Sequence, residues 1–84
     1  MNFTNNELIH LIGITHVDLC GLKGTIEDYE EIIDDSTNKK EDPKFIQTCL
    51  NSLELFKQTY KENTFLKERL IKQFYSQGGK EEQI

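Results

Sequence analysis

The spacing of the apolar residues is the feature that most constrains this chain, because they recur at steps of three and four along two long segments. Such spacing places side chains on one face of an α-helix. The first stripe comprises Leu19, Leu22, Ile26, Tyr29 and Ile33. The second comprises Ile46, Cys49, Leu50, Leu53, Phe56 and Tyr60, and it continues through Leu70, Ile71, Phe74 and Tyr75. The pattern predicts an all-α protein in which two long amphipathic helices pair as an antiparallel hairpin.

Local signals predict where these helices begin and end. The capping-box spacing, a threonine three residues before an acid, occurs at residues 4–7 and again at 15–18. Asp42 followed by Pro43 is typical of an N-cap and a first helical residue. Gly13 is expected to end the first helix in the left-handed conformation that favours glycine.

These signals predict a three-helix, bundle-like domain over residues 1–77. Its helices are expected at about residues 5–12, 16–35 and 43–76, with a flexible charged tail at 78–84. The third helix is longer than the second, so the short N-terminal helix is expected to cover the apolar surface that remains.

Each of the two long helices contains one position at which it could be interrupted, Gly24 in the first and Asn63 in the second. Gly24 costs about 1 kcal/mol relative to alanine inside a helix, and a break there is the competing interpretation. A continuous helix is favoured because a break would usually reset the apolar stripe. Asn63 is a candidate bend in the last helix, although no proline or glycine accompanies it.

The charge of the chain is unevenly distributed around a net value of −5. Residues 17–35 contain seven acids and one lysine, whereas residues 43–80 contain seven cations and three acids. The two segments are therefore expected to lie side by side. The acidic residues have two interpretations: a solvated helix face opposite lysines such as Lys57 and Lys61, or a docking surface for a basic partner. The candidate docking residues are Glu27, Glu30, Glu31 and Asp34.

The stretch "GITHVDLCGLKGT", at residues 13–25, has the arrangement of a helix-turn-helix corner. Its turn glycine is Gly13, and the flanking apolar positions are Leu8, Ile12, Ile14, Leu19 and Leu22. Over about 20 residues the chain thus resembles the helix-turn-helix of phage-repressor-like regulators. The resemblance implies a DNA-binding regulator with His16 and Lys23 near the groove.

This segment departs from that pattern in several ways. Ile9 occupies the close-crossing position that usually holds alanine or glycine, and the recognition helix would present Asp18. An acidic run follows that would repel phosphates. Nucleic-acid binding is therefore kept as the alternative function and is not the one expected.

The sequence offers few residues for chemistry. His16 and Cys20 are four positions apart and could face one ion, and His10 and Cys49 are the other soft ligands. They provide at most two local ligands. No nucleophile–base set or glycine-rich phosphate loop is recognisable. The expectation is a protein without catalytic residues, metal or cofactor, and not an enzyme.

A protein-binding role is expected from apolar residues that the hairpin does not use. Leu55, Phe65 and Leu66 lie off the main stripe, and Leu70 and Phe74 exceed what the short helix can cover. Surplus apolar surface of this kind marks interaction sites. We expect a small helical interaction module that acts by stoichiometric binding, as a homo-oligomer or as an accessory or inhibitor of a larger protein.

The expected setting of the protein is the cytoplasm, with no membrane partner. The two cysteines have no disulfide-framework spacing, and the N-terminal residues have neither the basic nor the apolar run of a signal peptide. Small size, abundant lysine and the absence of alanine are compatible with a phage or mobile-element origin.

Overall fold

The computed structural model describes residues 3–84 and shows a helical hairpin. Helix α1 spans Asn5–Asn38, helix α2 spans Pro43–Ser76, and a short 3-10 helix, Glu81–Gln83, follows. All the secondary structure assigned within the described residues is helical. The predicted all-α class and the packing of two long helices against each other are confirmed.

The predicted separate N-terminal helix is wrong, because the segments 5–12 and 16–35 belong to the single helix α1. Gly13 lies inside this helix and not at its end. Thr15 is not an N-cap, since its buried hydroxyl donates to the carbonyl of Leu11 at 2.7 Å. That bond is typical of a threonine within a helix. The three-helix description is therefore corrected to a two-helix hairpin.

The physical reason for this continuity is the phase of the apolar residues. Leu8, Ile12, Thr15 and Leu19 are separated by four, three and four positions, so the stripe passes Gly13 without a shift. Packing of a continuous apolar face stabilises a helix more than one glycine destabilises it. The same holds at Gly24, where α1 is continuous as predicted.

Both helices begin at the predicted caps. The Thr4 hydroxyl accepts from the Glu7 amide at 3.2 Å, and the Thr4 amide donates to the Glu7 carboxylate at 3.0 Å, forming a capping box. Asp42 accepts from the Lys44 amide at 3.0 Å, with Pro43 as the first helical residue. The connection between the helices is short, and Lys40 takes a left-handed φ of 54° within it.

The core is a single seam between the helices, with its main cluster at the end of the hairpin away from the connection. Leu8 and Ile12 of α1 pack there against Leu70 and Phe74 of α2. The first turns of α1 therefore cover the C-terminal part of α2. This is the position predicted for the short covering helix, although these turns belong to α1. Leu19, Cys49 and Leu53 are the other buried apolar residues among those described.

Polar residues interrupt this seam near its middle. Asn63 and Lys67 continue the three-and-four spacing of α2, and both are half-buried. The Lys67 ammonium donates to Nδ1 of His16 at 2.9 Å across the hairpin. Toward the connection the seam is aromatic, with the rings of Tyr29 and Phe56 5.4 Å apart.

The end of α2 is closed by a Schellman motif. Gly78 has a φ of +84°, the left-handed conformation that favours glycine. Its amide donates to the Tyr75 carbonyl at 3.1 Å, and the Gly79 amide donates to the Phe74 carbonyl at 2.9 Å. The segment 78–84, predicted as a flexible tail, thus begins with a defined helix stop and contains the 3-10 helix.

The hairpin is long and one helix layer thick. Its principal extents are 55 × 24 × 13 Å, and its radius of gyration is 17.6 Å. A compact domain of this length would have a radius of gyration of about 12 Å. Because a helix with side chains is about 10–12 Å across, the smallest extent corresponds to a single layer. Most domains bury their helices between two layers, so each helix here retains faces that nothing covers.

Candidate interaction surface

Three of the apolar residues predicted to bind a partner lie exposed on α2. Leu55, Phe65 and Leu66 are 64%, 55% and 43% exposed. Isolated exposed apolar side chains are ordinary, so their arrangement matters more than their number. Leu55 and Leu66 are eleven positions apart, close to three helical turns, and project from the same side of α2.

The other two apolar residues predicted at the partner surface lie in the core. Leu70 and Phe74 are buried against Leu8 and Ile12. The reason is that the segment predicted as a separate covering helix, 5–12, is the first part of α1 and packs directly against this part of α2. The candidate surface therefore excludes Leu70 and Phe74.

On each side of the seam between the helices, the hairpin has a long surface formed by residues of both helices, which we call an edge. One of these two edges carries His16. A groove on this edge is lined by Ile9 and His16 of α1 together with Lys67, Ile71 and Tyr75 of α2. We call it the His16 edge. Its middle is polar, because the Lys67–His16 hydrogen bond lies there.

The opposite edge carries Leu55 and Leu66. On α1 the residues that flank the core stripe on that side are Leu11, Leu22 and Tyr29, all of them half-buried. They are spaced by eleven and seven positions, which again corresponds to one side of the helix. We define the Leu66 edge as these five residues. None of the five is charged, although exposed Asp18 and Glu62 lie at helical spacing between them, and the five extend along about half of the 55 Å length of the hairpin.

The acidic residues predicted as a docking surface lie exposed on the part of α1 nearest the connection. Glu27, Glu30, Glu31 and Asp34 all belong to this surface. Glu30 lies 3.6 Å from Lys57 of α2, and both side chains are more than half exposed. Within residues 3–84 it is the one ion pair that joins the two helices. An exposed pair of this kind contributes only about 0.2–1 kcal/mol, so the acidic surface remains largely uncompensated.

The residues weighed as metal ligands form a small polar cluster. The Lys67 ammonium lies 2.9 Å from Nδ1 of His16, and Nε2 of the same ring lies 3.7 Å from Sγ of Cys20. His16 and Cys20 are both exposed. Across the described part of the chain, no three His, Cys, Asp or Glu residues are grouped to hold an ion. The cluster bridges the two helices through Lys67.

The α1 half of the Leu66 edge was missed by the sequence reasoning. The sequence predicts Leu22 and Tyr29 on the core stripe, where Tyr29 does pack against Phe56 while also bordering this edge, and it predicts Leu11 on the short covering helix. The signal that could have identified them is the register of α1, since a helix that continues through Gly13 places all three at one margin of its stripe. A division at Gly13 puts Leu11 in a different helix from Leu22 and Tyr29, so that their common side is not apparent.

Neither helix of the described chain contains an apolar stretch long enough to cross a membrane. No protein-family model, no curated protein and no solved structure matches this chain.

Proposed function

We propose that the chain is a small helical protein-interaction module that acts by stoichiometric binding, as a homo-oligomer or as an accessory or inhibitor of a larger protein. The observation that carries this proposal is the Leu66 edge, where five apolar residues recur on one side of a hairpin only one layer thick. Apolar side chains that gather on one side of a thin hairpin, with polar residues around them, are typical of sites that bind other proteins.

The acidic surface supports a second, electrostatic part of the same role. Glu27, Glu31 and Asp34 have no cation within 4.0 Å among the described residues. Exposed charges of one sign steer the encounter with an oppositely charged partner more than they add to its affinity. The apolar edge would thus hold the partner, and the acidic surface would orient it.

The DNA-binding alternative is not retained as a second candidate. It depended on a turn at Gly13, and α1 runs through this position without a turn. His16, which would have faced the groove, is bonded to Lys67 of the same chain. The proposed setting remains the cytoplasm, where the free thiols of Cys20 and Cys49 would stay reduced.

The proposal is tested by photo-crosslinking in the producing cells. A benzophenone amino acid replaces Leu66, and in a matched control it replaces Lys72, which is exposed on the same helix. We expect discrete protein adducts, to this chain or to another protein, from position 66 and not from position 72. If neither position gives an adduct, or both give the same diffuse set, the proposed function is wrong.

A further inference from the structure

We infer that the Leu66 edge binds a second copy of this chain, with the two hairpins antiparallel, to form a four-helix bundle. This inference rests on the proposed function and specifies its partner. In this dimer, the two hairpins are related by a twofold axis that is perpendicular to their long direction. The connection of one hairpin then lies beside the terminal end of the other.

The single chain exposes more surface than a compact monomer of its mass. Its accessible surface is 6359 Å². A compact monomer of 9.8 kDa would expose about 5,200 Å², so the hairpin exposes roughly 1,200 Å² more. A standard interface buries about 600–1,000 Å² on each partner. The surplus is therefore sufficient for one such interface, and a second hairpin would supply the layer that the first lacks.

The two exposed leucines of the edge lie almost symmetrically about the middle of α2. Leu55 and Leu66 are centred between residues 60 and 61, and α2 itself is centred between residues 59 and 60. A twofold axis at that point would place Leu55 against Leu66 of the partner subunit, and Leu66 against the partner's Leu55. Both leucines would be covered in one symmetric contact. A parallel pairing would instead leave each leucine opposite its own copy.

Charge is distributed unevenly along the hairpin. The half nearest the connection, residues 22–59, contains nine acids and five cations, for a net charge of −4. The remaining described residues, 3–21 and 60–84, contain six acids and five cations, for a net charge of −1. Parallel hairpins would align the two strongly acidic halves, whereas antiparallel hairpins place each acidic half beside a nearly neutral one. The weaker like-charge repulsion therefore favours the antiparallel arrangement.

The first experiment measures the mass of the intact protein in solution by size-exclusion chromatography with light scattering. We expect twice 9.8 kDa for the natural sequence at micromolar concentration. Leu55→Glu combined with Leu66→Glu should halve this mass while far-UV circular dichroism stays helical. Val17→Glu is the matched control: Val17 is 68% exposed but lies on the outward face of α1, so this variant should remain a dimer.

The second experiment determines the orientation of the hairpins. A spin label is attached through Thr37→Cys, beside the connection, in a Cys20→Ser background, since Cys49 is buried. In the antiparallel dimer the two labelled backbones should be about 45 Å apart, from a rise of 1.5 Å per residue on either side of the midpoint of α1. In a parallel dimer they would be within about 25 Å, the width of two helices.

The outcomes separate this inference from the proposed function. A dimer with the long label distance, lost in the double leucine variant and kept in Val17→Glu, supports it. A short distance, a larger oligomer, or a dimer that survives the leucine changes overturns it. A monomeric natural protein also overturns it. The proposed function then still stands if position 66 crosslinks to a different protein, and it fails if position 66 crosslinks to none.

Discussion

Gly79 lies against the ring of Phe74, so closely that a β-carbon at position 79 would be 2.5 Å from three of its ring atoms. Phe74 is fully buried and cannot move away without disturbing the main core cluster. We expect Gly79→Ala to lower the free energy of unfolding by about 1–3 kcal/mol, because the added methyl group overpacks the site. Urea denaturation measures this, and an unchanged midpoint would contradict the packing described for Phe74.

Gly13→Ala should have the opposite effect. A β-carbon at Gly13 meets no atom within 4 Å, and the position is helical. Alanine should therefore raise the free energy of unfolding by about 1 kcal/mol. In a helix-turn-helix, where Gly13 would be left-handed, the same change would be destabilising. The sign of the shift in the urea midpoint thus tests the continuity of α1.

Leu53 and Leu50 form a matched pair for testing the seam. Both were assigned to the core stripe from the sequence, but Leu53 is 8% exposed and Leu50 is 41% exposed. Leu53→Ala is expected to cost about 2–5 kcal/mol, because it leaves a cavity between the helices. Leu50→Ala should cost clearly less. Equal losses in thermal or urea unfolding would mean that the orientation of α2 is wrong.

The capping box predicts part of the pH dependence of stability. The pKa of Glu7 is lowered from its ordinary value of 4.5, mainly by the hydrogen bond from the Thr4 backbone amide and then by that from the Thr4 hydroxyl. Because the pKa of Glu7 is lower in the folded state, the cap stabilises the protein fully at a pH above 4.5. This stabilisation is lost as the pH falls through the lowered pKa of the folded state. Glu7→Gln should therefore lose less stability than the natural protein between pH 7 and acidic pH.

This comparison is made by thermal unfolding followed by circular dichroism across the pH range. Thr4→Ala serves as the control, since it removes the hydroxyl and leaves the Glu7 carboxylate in place. It should be destabilised at neutral pH and retain part of the pH dependence. If Glu7→Gln and the natural protein show parallel curves, the carboxylate does not act through the cap.

The sequence was sufficient to predict the helical hairpin and its two N-terminal caps, Thr4 and Asp42, because these depend on local hydrogen bonding and on periodicity. The error at Gly13 arose from giving a single glycine more weight than the stripe. The continuity argument that was applied correctly at Gly24 applies equally at Gly13. Glycine inside a helix costs about 1 kcal/mol, which a long packed face readily offsets.

The errors in the candidate surface followed from that division. With α1 divided at Gly13, the short first helix is too small to cover all the apolar residues of late α2, and the prediction therefore gives Leu70 and Phe74 to a partner. Which side of a stripe is exposed also depends on the crossing of the two helices, and residue spacing alone does not determine it. Leu50 was therefore assigned to the core, and Leu22 was not recognised as part of an edge.

The hydrogen bond from Lys67 to His16 has a consequence for how the helices align. A three-and-four repeat would be equally satisfied if α2 slid along α1 by seven residues, so apolar spacing permits several slipped pairings. One slip would move the Lys67 ammonium from His16 to Ile9, whose side chain offers no acceptor. The opposite slip would bring it beside Lys23, where like charges repel. One half-buried lysine thus favours the observed alignment over either seven-residue slip.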